Sequence, residues 1–439
     1  MNRMITRLNA GKFSVILLLF IVLSFQEIKP QDPIEKYEGI PFIIYPARRV
    51  EQMLQYTKSF DHMKQMGVYG VVAPDLFNNE YQGQYNIDSF TVHNLKAIPY
   101  YLWGDTLTYQ NLIHKYTNSH YTVWEAEGVT DQTKGNATLY HSSHTTVESD
   151  TVGYVKTLST AQNGDTLICG PGYLQNATYN ADTAKVHYTI EFRMKIVPII
   201  PQLPDNYQDD IVCKLLVTNI LNGQTNEIVV MERRVKVSDF NNLDEWDTIK
   251  ANYYFPSGVT DKLWKTNGNL LLPDSAAFFV QFKVIWSGLT YLNLYIDKIR
   301  VYDDKGDEIV NDEDRQLQIA NYIQYYLNNS TIIGWYGTDE PVSIDNFEPF
   351  RVVDSIITHV SNSNLRLHAG ITGGTTGKFG GWYGRDSMAA SLNIDDEFWR
   401  RAKPKNIQIN CYNFYFPWTY KDLNHPNYWV DDIDTYTYK

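Results

Sequence analysis

Apolar runs of strand length alternate with a helical segment near the start of the chain. The runs IPFIIYPARR (40–49), VYGVVAPD (68–75) and LKAIPYYLWGD (95–105) each end in polar or charged residues. Between the first two runs, apolar residues recur at helical spacing from Val50 onward, and Gly67 follows as a stop signal. Apolar strands that alternate with helices predict βαβ units and a parallel sheet.

The pattern changes between about Tyr121 and Asp303. Runs such as HYTIEFRMKIV, DIVCKLLVTNIL and YLNLYIDKIRVYD follow one another with turn signals between them. No long helical pattern interrupts them. This part of the chain predicts an all-β module of about the size of a sandwich.

Helices and strands alternate again after residue 313. Helical periodicity marks residues 314–329 and 346–362, and apolar runs mark strands within 330–341, 365–374 and 406–418. With the three strands near the start, this makes six. The sequence therefore predicts an α/β fold, a (β/α)8 TIM-type barrel that is incomplete at its C-terminus and carries an inserted all-β sandwich.

This interpretation divides the chain into four parts. They are a signal peptide at 1–31, the first part of the barrel with strands 1–3 at 32–120, the inserted β-sandwich at 121–304, and the second part of the barrel with strands 4–6 at 305–439.

The first residues predict export from the cell. Basic residues precede a continuous apolar run from Phe13 to Phe25, which is typical of a signal peptide. The alternative is a single membrane anchor, but the run is shorter than the roughly 20 residues that a spanning helix needs. We therefore expect a secreted, periplasmic or cell-surface protein with no integral membrane segment after signal cleavage.

Composition narrows the class of partner. The chain has 38 Lys and Arg against 50 Asp and Glu, a formal net charge of −12, so nucleic acid is excluded as an expected partner. Aromatic residues make up 14% of the chain, with 33 Tyr and 10 Trp. Rings with polar handles are common in carbohydrate-active proteins, although strands favour Tyr in any case.

The three cysteines have no metal-ligand or redox spacing. Cys169 and Cys213 could form a disulfide bond in an oxidising compartment. Buried free thiols are the alternative, and they are the state that we expect.

Polar and aromatic residues recur at or just after the predicted strand ends. In a (β/α)8 barrel the side chains that follow the strands converge at one face, where the active site lies. The residues at these positions that we expect to bind substrate are Arg48, Asp75, Trp103, His368 and Tyr412. The alternative is a helix cap for Arg48, a turn residue for Asp75 and a place in the core for Trp103.

The segment GWYGTDEP, which ends in Asp339, Glu340 and Pro341, resembles the end of the fourth strand in glycoside hydrolases with (β/α)8 barrels. The resemblance covers residues 40–105 and 314–430. It implies a carbohydrate substrate and a general acid/base at Glu340, which would protonate the glycosidic oxygen. No cofactor is expected for catalysis.

Two other functions remain open. Adjacent Asp339 and Glu340 also resemble the substrate-assisted N-acetylhexosaminidases, in which the Asp orients the substrate's acetamido group and the Glu is the acid. The second alternative is a surface protein that binds glycans without cleaving them. The chain is thus interpreted as hydrolase-like, and whether it is an enzyme stays open.

The inserted module has a resemblance of its own. Its first strand, YTVWEAEG, and its last, YIDKIRVYD, resemble the corresponding strands of jelly-roll carbohydrate-binding modules. In some of those families acids from these two strands hold a structural calcium ion, which would here be bound by Glu125, Glu127 and Asp297. Ordinary acids at the edge of a sheet are the alternative.

Overall fold

The structure is a computed structural model of the 439-residue chain. It describes residues 43–44, 59–65, 67–74, 87–100, 112–128, 139–174, 186–221, 227–255, 278–339, 344–362, 364–371, 403 and 410–412. Contacts between residues divide the chain into two compact units, Met1–Thr108 and Tyr109–Lys439.

The first unit contains a three-stranded parallel sheet. Its elements are β1 (Ile43–Ile44), α1 (Ser59–Gln65), β2 (Gly70–Pro74) and β3 (Lys96–Tyr100), and residues 87–92 are also helical. The strands pair in the order β1-β2-β3. Consecutive residues of β2, from Val71 to Ala73, are all buried, because a parallel sheet is covered on both faces.

The second unit begins with α2 (Leu112–Thr117) and continues as eleven strands. These are β4 (Tyr121–Glu125), β5 (Tyr140–His141), β6 (Thr145–Ser149), β7 (Gly153–Thr157), β8 (Thr166–Leu174), β9 (Val186–Pro198), β10 (Ile211–Leu221), β11 (Glu227–Lys236), β12 (Asp247–Phe255), β13 (Phe278–Trp286) and β14 (Leu292–Tyr302). The unit continues with α3 (Asp304–Asn311), α4 (Glu313–Tyr326), β15 (Gly334–Asp339), α5 (Phe347–Val360), β16 (Arg366–Ile371) and β17 (Asn410–Tyr412).

The eleven strands form two antiparallel sheets of a β-sandwich. One sheet has the order β11-β10-β13-β8-β5, and the other has the order β12-β9-β14-β7-β6 with β4 also paired to β14. Along β9, Tyr188, Ile190 and Phe192 are fully buried, while the residues between them lie on the outer face. Each fully buried apolar side chain of this size contributes about 1.5–3 kcal/mol, so the alternation in sequence specifies which face of each strand points inward. The predicted β-sandwich is confirmed.

Cys169 and Cys213 are both free thiols. Cys213 on β10 is buried in the core and pairs with Trp286, whereas Cys169 on β8 pairs with Lys283 on the opposite side of the sheet. Successive residues of a strand point to opposite faces, so these two thiols are on different sides of the five-stranded sheet.

After the sandwich, the second unit adds a short α/β layer. Strands β15, β16 and β17 pair in parallel in that order. Trp335 of β15 and Leu367 of β16 are completely buried. At Gly337 a Cβ would lie 3.1 Å from both Leu367 and Thr117 of α2. The helix therefore approaches this strand closely because Gly337 has no side chain.

The prediction of an α/β fold built on a (β/α)8 barrel is wrong. Of the seventeen strands in the described residues, eleven belong to the antiparallel sandwich, and the six parallel strands form two separate three-stranded sheets. The described part of the chain is therefore mainly a β-sandwich. The prediction extended a local strand–helix order to a closed ring, but closure requires every strand to pair on both sides, which local periodicity does not specify.

The longest helices that the structure describes, α4 and α5, have 14 residues each. Within the described ranges, no helix combines the length and the apolar character needed to cross a bilayer.

A buried ionic contact joins the sandwich to the α/β layer. His120, directly before β4, has its Nδ1 2.8 Å from the Oδ1 of Asp345, and both side chains are buried. The neighbouring Asn346 donates a hydrogen bond of 2.8 Å to the backbone oxygen of Ser119. On the other side, the backbone N–H of Asp303, directly after β14, donates to the oxygen of His120. The chain therefore enters and leaves the sandwich at one point.

Burial by itself would lower the pKa of His120, but the charge of Asp345 and its hydrogen bond outweigh burial and raise the pKa above its usual value. Asp303 adds to this effect and Lys305 opposes it. Folding therefore favours the protonated imidazole of His120 over the neutral form, relative to the unfolded chain.

We expect Asp345→Asn to lower the free energy of unfolding by about 2 kcal/mol, as for loss of a buried charged hydrogen bond. Because the folded-state pKa of His120 is raised, the stabilisation is complete below about pH 6.5, the unfolded value, and is lost as the pH rises through the folded-state pKa. Urea unfolding over this pH range measures it. Asp61→Asn, which removes an exposed partner of His93, is the control and should change stability by less than about 0.5 kcal/mol. An equal loss at all pH values would contradict this account.

Candidate functional site

Strand register arranges the side chains on the outer face of the six-stranded sheet in rows. Strand β14 lies in the middle, with β4 and β7 on one side and β9 on the other, and β12 lies beyond β9. Residues that face each other across these strands form a row of neighbours on the same face.

The first row is built around an aromatic ring. Tyr295 pairs with Lys156 of β7 and Lys195 of β9, whose Nζ atoms lie 5.4 and 4.9 Å from the centre of its ring. The ring of Tyr154 is 5.6 Å from that of Tyr295, and the ring of Trp246 is 5.7 Å from that of Tyr154. Tyr154, Trp246 and Tyr295 are called the aromatic cluster below.

Trp246 is the most accessible member of the aromatic cluster. It precedes β12 and is half-buried, whereas Tyr154 and Tyr295 are only 8% and 9% exposed. The guanidinium carbon of Arg193 and the Nζ of Lys195 each lie 5.3 Å from the centre of the Trp246 ring. Such cation–π contacts contribute about 0.5–1 kcal/mol each at exposed sites, so they fix the orientation of the ring.

The cations around the aromatic cluster are compensated by carboxylates. The pairs are Lys156 with Glu148 at 3.4 Å, Lys195 with Asp244 at 3.4 Å, and Arg193 with Asp297 at 2.5 Å. The cluster is therefore surrounded by charge without carrying a large net charge.

A β-bulge places Asp297 beneath Arg193. The register of β14 with β9 shifts between Ile296 and Lys298, so Asp297 is an extra residue on its strand. Bulges redirect side chains in this way. The Asp297 side chain is 1% exposed and accepts a hydrogen bond from Nη1 of Arg193.

The two other predicted calcium ligands lie near Asp297. Glu125 pairs across the strands with Lys298. Burial raises the pKa of Glu125, and the charges of Glu127 and Asp297 raise it further while Lys298 opposes them. A buried carboxylate oxygen of Glu127 has no hydrogen-bond partner within the described structure. The charges of Glu127 and Asp297 thus act on Glu125 at this end of the sheet.

Calcium binding by this group stays a prediction. In the described ranges, no set of three or more His, Cys, Asp or Glu side chains is arranged to hold a metal ion. The residues do not fit an ion as they stand, because Nη1 of Arg193 already donates a hydrogen bond to Oδ2 of the buried Asp297.

A further row contains a buried carboxylate with several donors. Glu191 is 4% exposed. It accepts hydrogen bonds from Tyr302 at 2.7 Å, Lys250 at 2.9 Å and Arg300 at 2.6 Å. Arg300 also reaches the hydroxyl of Tyr121 at 3.4 Å. Burial alone would raise the pKa of Glu191, but these donors outweigh it and lower the pKa. The network links β4, β14, β9 and β12.

Four residues that the sequence predicts for a site, Arg48, Asp75, Trp103 and Glu340, lie outside the described residues. Their roles stay predictions.

The parallel sheet of the second unit brings some of the remaining predicted residues close together along its backbone. Asp339 pairs with Gly370 and Ile371 pairs with Tyr412, so the ends of β15, β16 and β17 are adjacent. His368 lies deeper in the sheet, opposite Tyr336, and is buried. Burial lowers the pKa of His368 to about 4, with a smaller effect from Arg366, so its imidazole is neutral at pH 7.

The sequence interpretation missed the aromatic cluster and Arg193. The signal was present in β9, where Glu191, Arg193 and Lys195 alternate with buried apolar residues. The alternation places these charges on the outer face, but it does not identify the strands that lie beside them.

No family model and no curated protein matches the chain. Among solved structures, the CBM36-1 domain of a multidomain xylanase from the hindgut metagenome of Trinervitermes trinervoides is 9% identical, with a TM-score of 0.22 over 41% of this chain and 95% of that one. The xylan-binding module CBM15 is 11% identical, with a TM-score of 0.20 over 43% and 93%. The C-terminal family 22 carbohydrate-binding module of Clostridium thermocellum Xyn10B is 8% identical, with a TM-score of 0.18 over 44% and 93%.

All three neighbours are carbohydrate-binding modules by name. At these TM-scores the likeness carries no argument about this chain. The sandwich is established by its own strand pairings, and the comparisons give no support for a barrel hydrolase.

We expect Glu191→Gln to lower the free energy of unfolding by about 3 kcal/mol, because it leaves Arg300 partly buried without its charge partner. The pKa of Glu191 is lowered in the folded state, so its contribution is present above the unfolded value of about 4.3 and is lost as the pH falls through the folded-state pKa. Urea unfolding at neutral and acidic pH tests both points.

The control for this prediction is Glu232→Gln, which removes an exposed partner of Arg234 and should cost less than about 0.5 kcal/mol. If both variants lose the same stability, the network around Glu191 has no special importance.

Proposed function

We propose that the β-sandwich binds a glycan at the aromatic cluster and does so without cleaving it. The observation that carries the proposal is the half-buried ring of Trp246, held beside Tyr154 and against Arg193 and Lys195. Sugar rings present apolar C–H faces that stack on aromatic side chains, while nearby polar groups bind the hydroxyls. Both kinds of group are present here.

The charge pattern favours a neutral glycan. Each cation near the rings has a carboxylate partner within 3.4 Å, so an anionic polysaccharide would have to displace these acids. Binding by stacking and hydrogen bonding depends little on salt, because screening acts on uncompensated charges. We expect neutral polysaccharides to bind better than sulfated or uronic ones.

The acids at this site are poorly suited to glycoside cleavage. Cleavage requires a carboxylic acid that gives its proton to the leaving oxygen. Asp297 is 1% exposed and already accepts a hydrogen bond from Arg193, so its carboxylate is engaged within the protein. A role in binding fits this arrangement better than a role as proton donor.

Hydrolysis at Glu340 remains a separate prediction from the sequence. The same holds for the substrate-assisted reaction at Asp339 and Glu340, for export, and for the contribution of Arg48, Asp75 and Trp103 to a substrate site. None of these rests on the sandwich.

We expect Trp246→Ala to weaken glycan binding about tenfold, which corresponds to about 1.4 kcal/mol and to the typical contribution of one aromatic contact. Affinity gel electrophoresis of the full chain against a panel of polysaccharides measures this, beginning with xylan, the ligand in the name of the CBM15 module. Tyr325→Ala is the matched control, because Tyr325 is an exposed ring on α4. Unchanged retention of Trp246→Ala on a polysaccharide that binds the wild type would remove the aromatic cluster as the site.

Release of reducing sugar distinguishes binding from hydrolysis. If the proposal is correct, the wild-type chain binds a polysaccharide and releases no sugar from it. If it does release sugar, and Glu340→Gln lowers the rate by about 10² to 10⁴-fold as for loss of a general acid, the hydrolase prediction is correct instead. A selective loss in Asp339→Asn on N-acetylated substrates would support the substrate-assisted reaction.

A further inference from the structure

The positive charge that compensates the Asp297 carboxylate comes from the protein itself. Nη1 of Arg193 is 2.5 Å from Oδ2 of Asp297, and Nζ of Lys298 is 3.9 Å from the same oxygen. A carboxylate that is only 1% exposed is costly to bury unless a cation and hydrogen bonds compensate it. Arg193 meets that requirement.

The position of Arg193 is fixed from two sides. Its strand places it opposite Lys298, its guanidinium donates to Asp297, and the same group lies over the ring of Trp246. A planar guanidinium is suited to binding a carboxylate along its edge while it stacks on a ring by its face. These contacts hold the charge of Arg193 next to Asp297 and close enough to act on Glu125.

A calcium ion and Arg193 would compete for the same oxygen. Calcium takes six to eight oxygen ligands at about 2.3–2.6 Å, and Arg193 already donates a hydrogen bond to the Asp297 oxygen that such an ion would need. Moreover, Lys298 lies between Glu125 and Arg193 in the row across β4, β14 and β9. An ion placed there would be repelled by two protein cations.

We propose that Arg193 takes the place of a structural metal ion in this sandwich, so that the protein folds without calcium. The carboxylates of Glu125, Glu127 and Asp297 become available to calcium only when Arg193 is removed. The inference concerns folding and holds whether or not the sandwich binds a glycan.

Thermal unfolding of the full chain in excess EDTA and in millimolar calcium chloride tests the proposal. The wild type should unfold at the same temperature in both. In EDTA, Arg193→Gln should unfold at a lower temperature than the wild type. Calcium should raise the unfolding temperature of this variant by about 2–4 °C or more, the shift that one modest interaction causes in a domain of about this size. Terbium luminescence, sensitised by Trp246, gives a direct readout of the ion and should appear only in the variant.

Two further variants control the experiment. Arg234→Gln, which removes an exposed arginine paired with Glu232, should show no response to calcium. The double variant Arg193→Gln/Asp297→Asn should lose the response that Arg193→Gln gains, because Asp297 would supply a ligand.

A calcium response of the wild type overturns the proposal, as does Arg193→Gln with no response in either readout. If Arg193→Gln fails to fold in EDTA, refolding from urea decides the question. Recovery in calcium supports the proposal, and failure to recover in calcium overturns it.

Discussion

The pairing of β14 with its neighbours is the constraint on which the sandwich depends. This one strand pairs with β4, β7 and β9. Its inner residues, among them Leu294 and Ile299, are buried in the core. Because strand side chains alternate, the same register determines which polar residues meet on the outer face. A change of one residue in register would exchange the two faces, and both the core and the site would be lost together.

The outer face combines two kinds of polar group. At Glu191 a buried carboxylate is bound by three different donors, which is the pattern of a structural network. At the aromatic cluster the cations lie over rings, and each forms an ion pair with a carboxylate. The first arrangement joins strands, and the second presents an accessible ring at Trp246. Arg193 contacts both Trp246 of the aromatic cluster and Asp297 of the acidic group, so it connects the proposed binding surface with the fold.

The sandwich is also tied to the rest of its unit. The contact between His120 and Asp345 lies where the chain enters the sandwich, and the hydrogen bond from Asp303 to His120 lies where it leaves. Removing one partner of a buried charged pair of this kind destabilises the folded protein. The long separation in sequence between these residues makes the contact a property of the folded unit, not of either segment.

The sequence by itself determined the β-sandwich, because alternating apolar residues over long runs have only one way to be buried. It also brought Glu125, Glu127 and Asp297 to attention, since these lie in or next to segments that the resemblance could align. It did not determine the sheet order, the bulge at Asp297 or the position of Trp246 beside Arg193, and it suggested a barrel that is wrong. Those features depend on pairing between strands far apart in the chain, so local periodicity cannot specify them. Only the tertiary structure decided that an arginine of β9 meets an aspartate of β14.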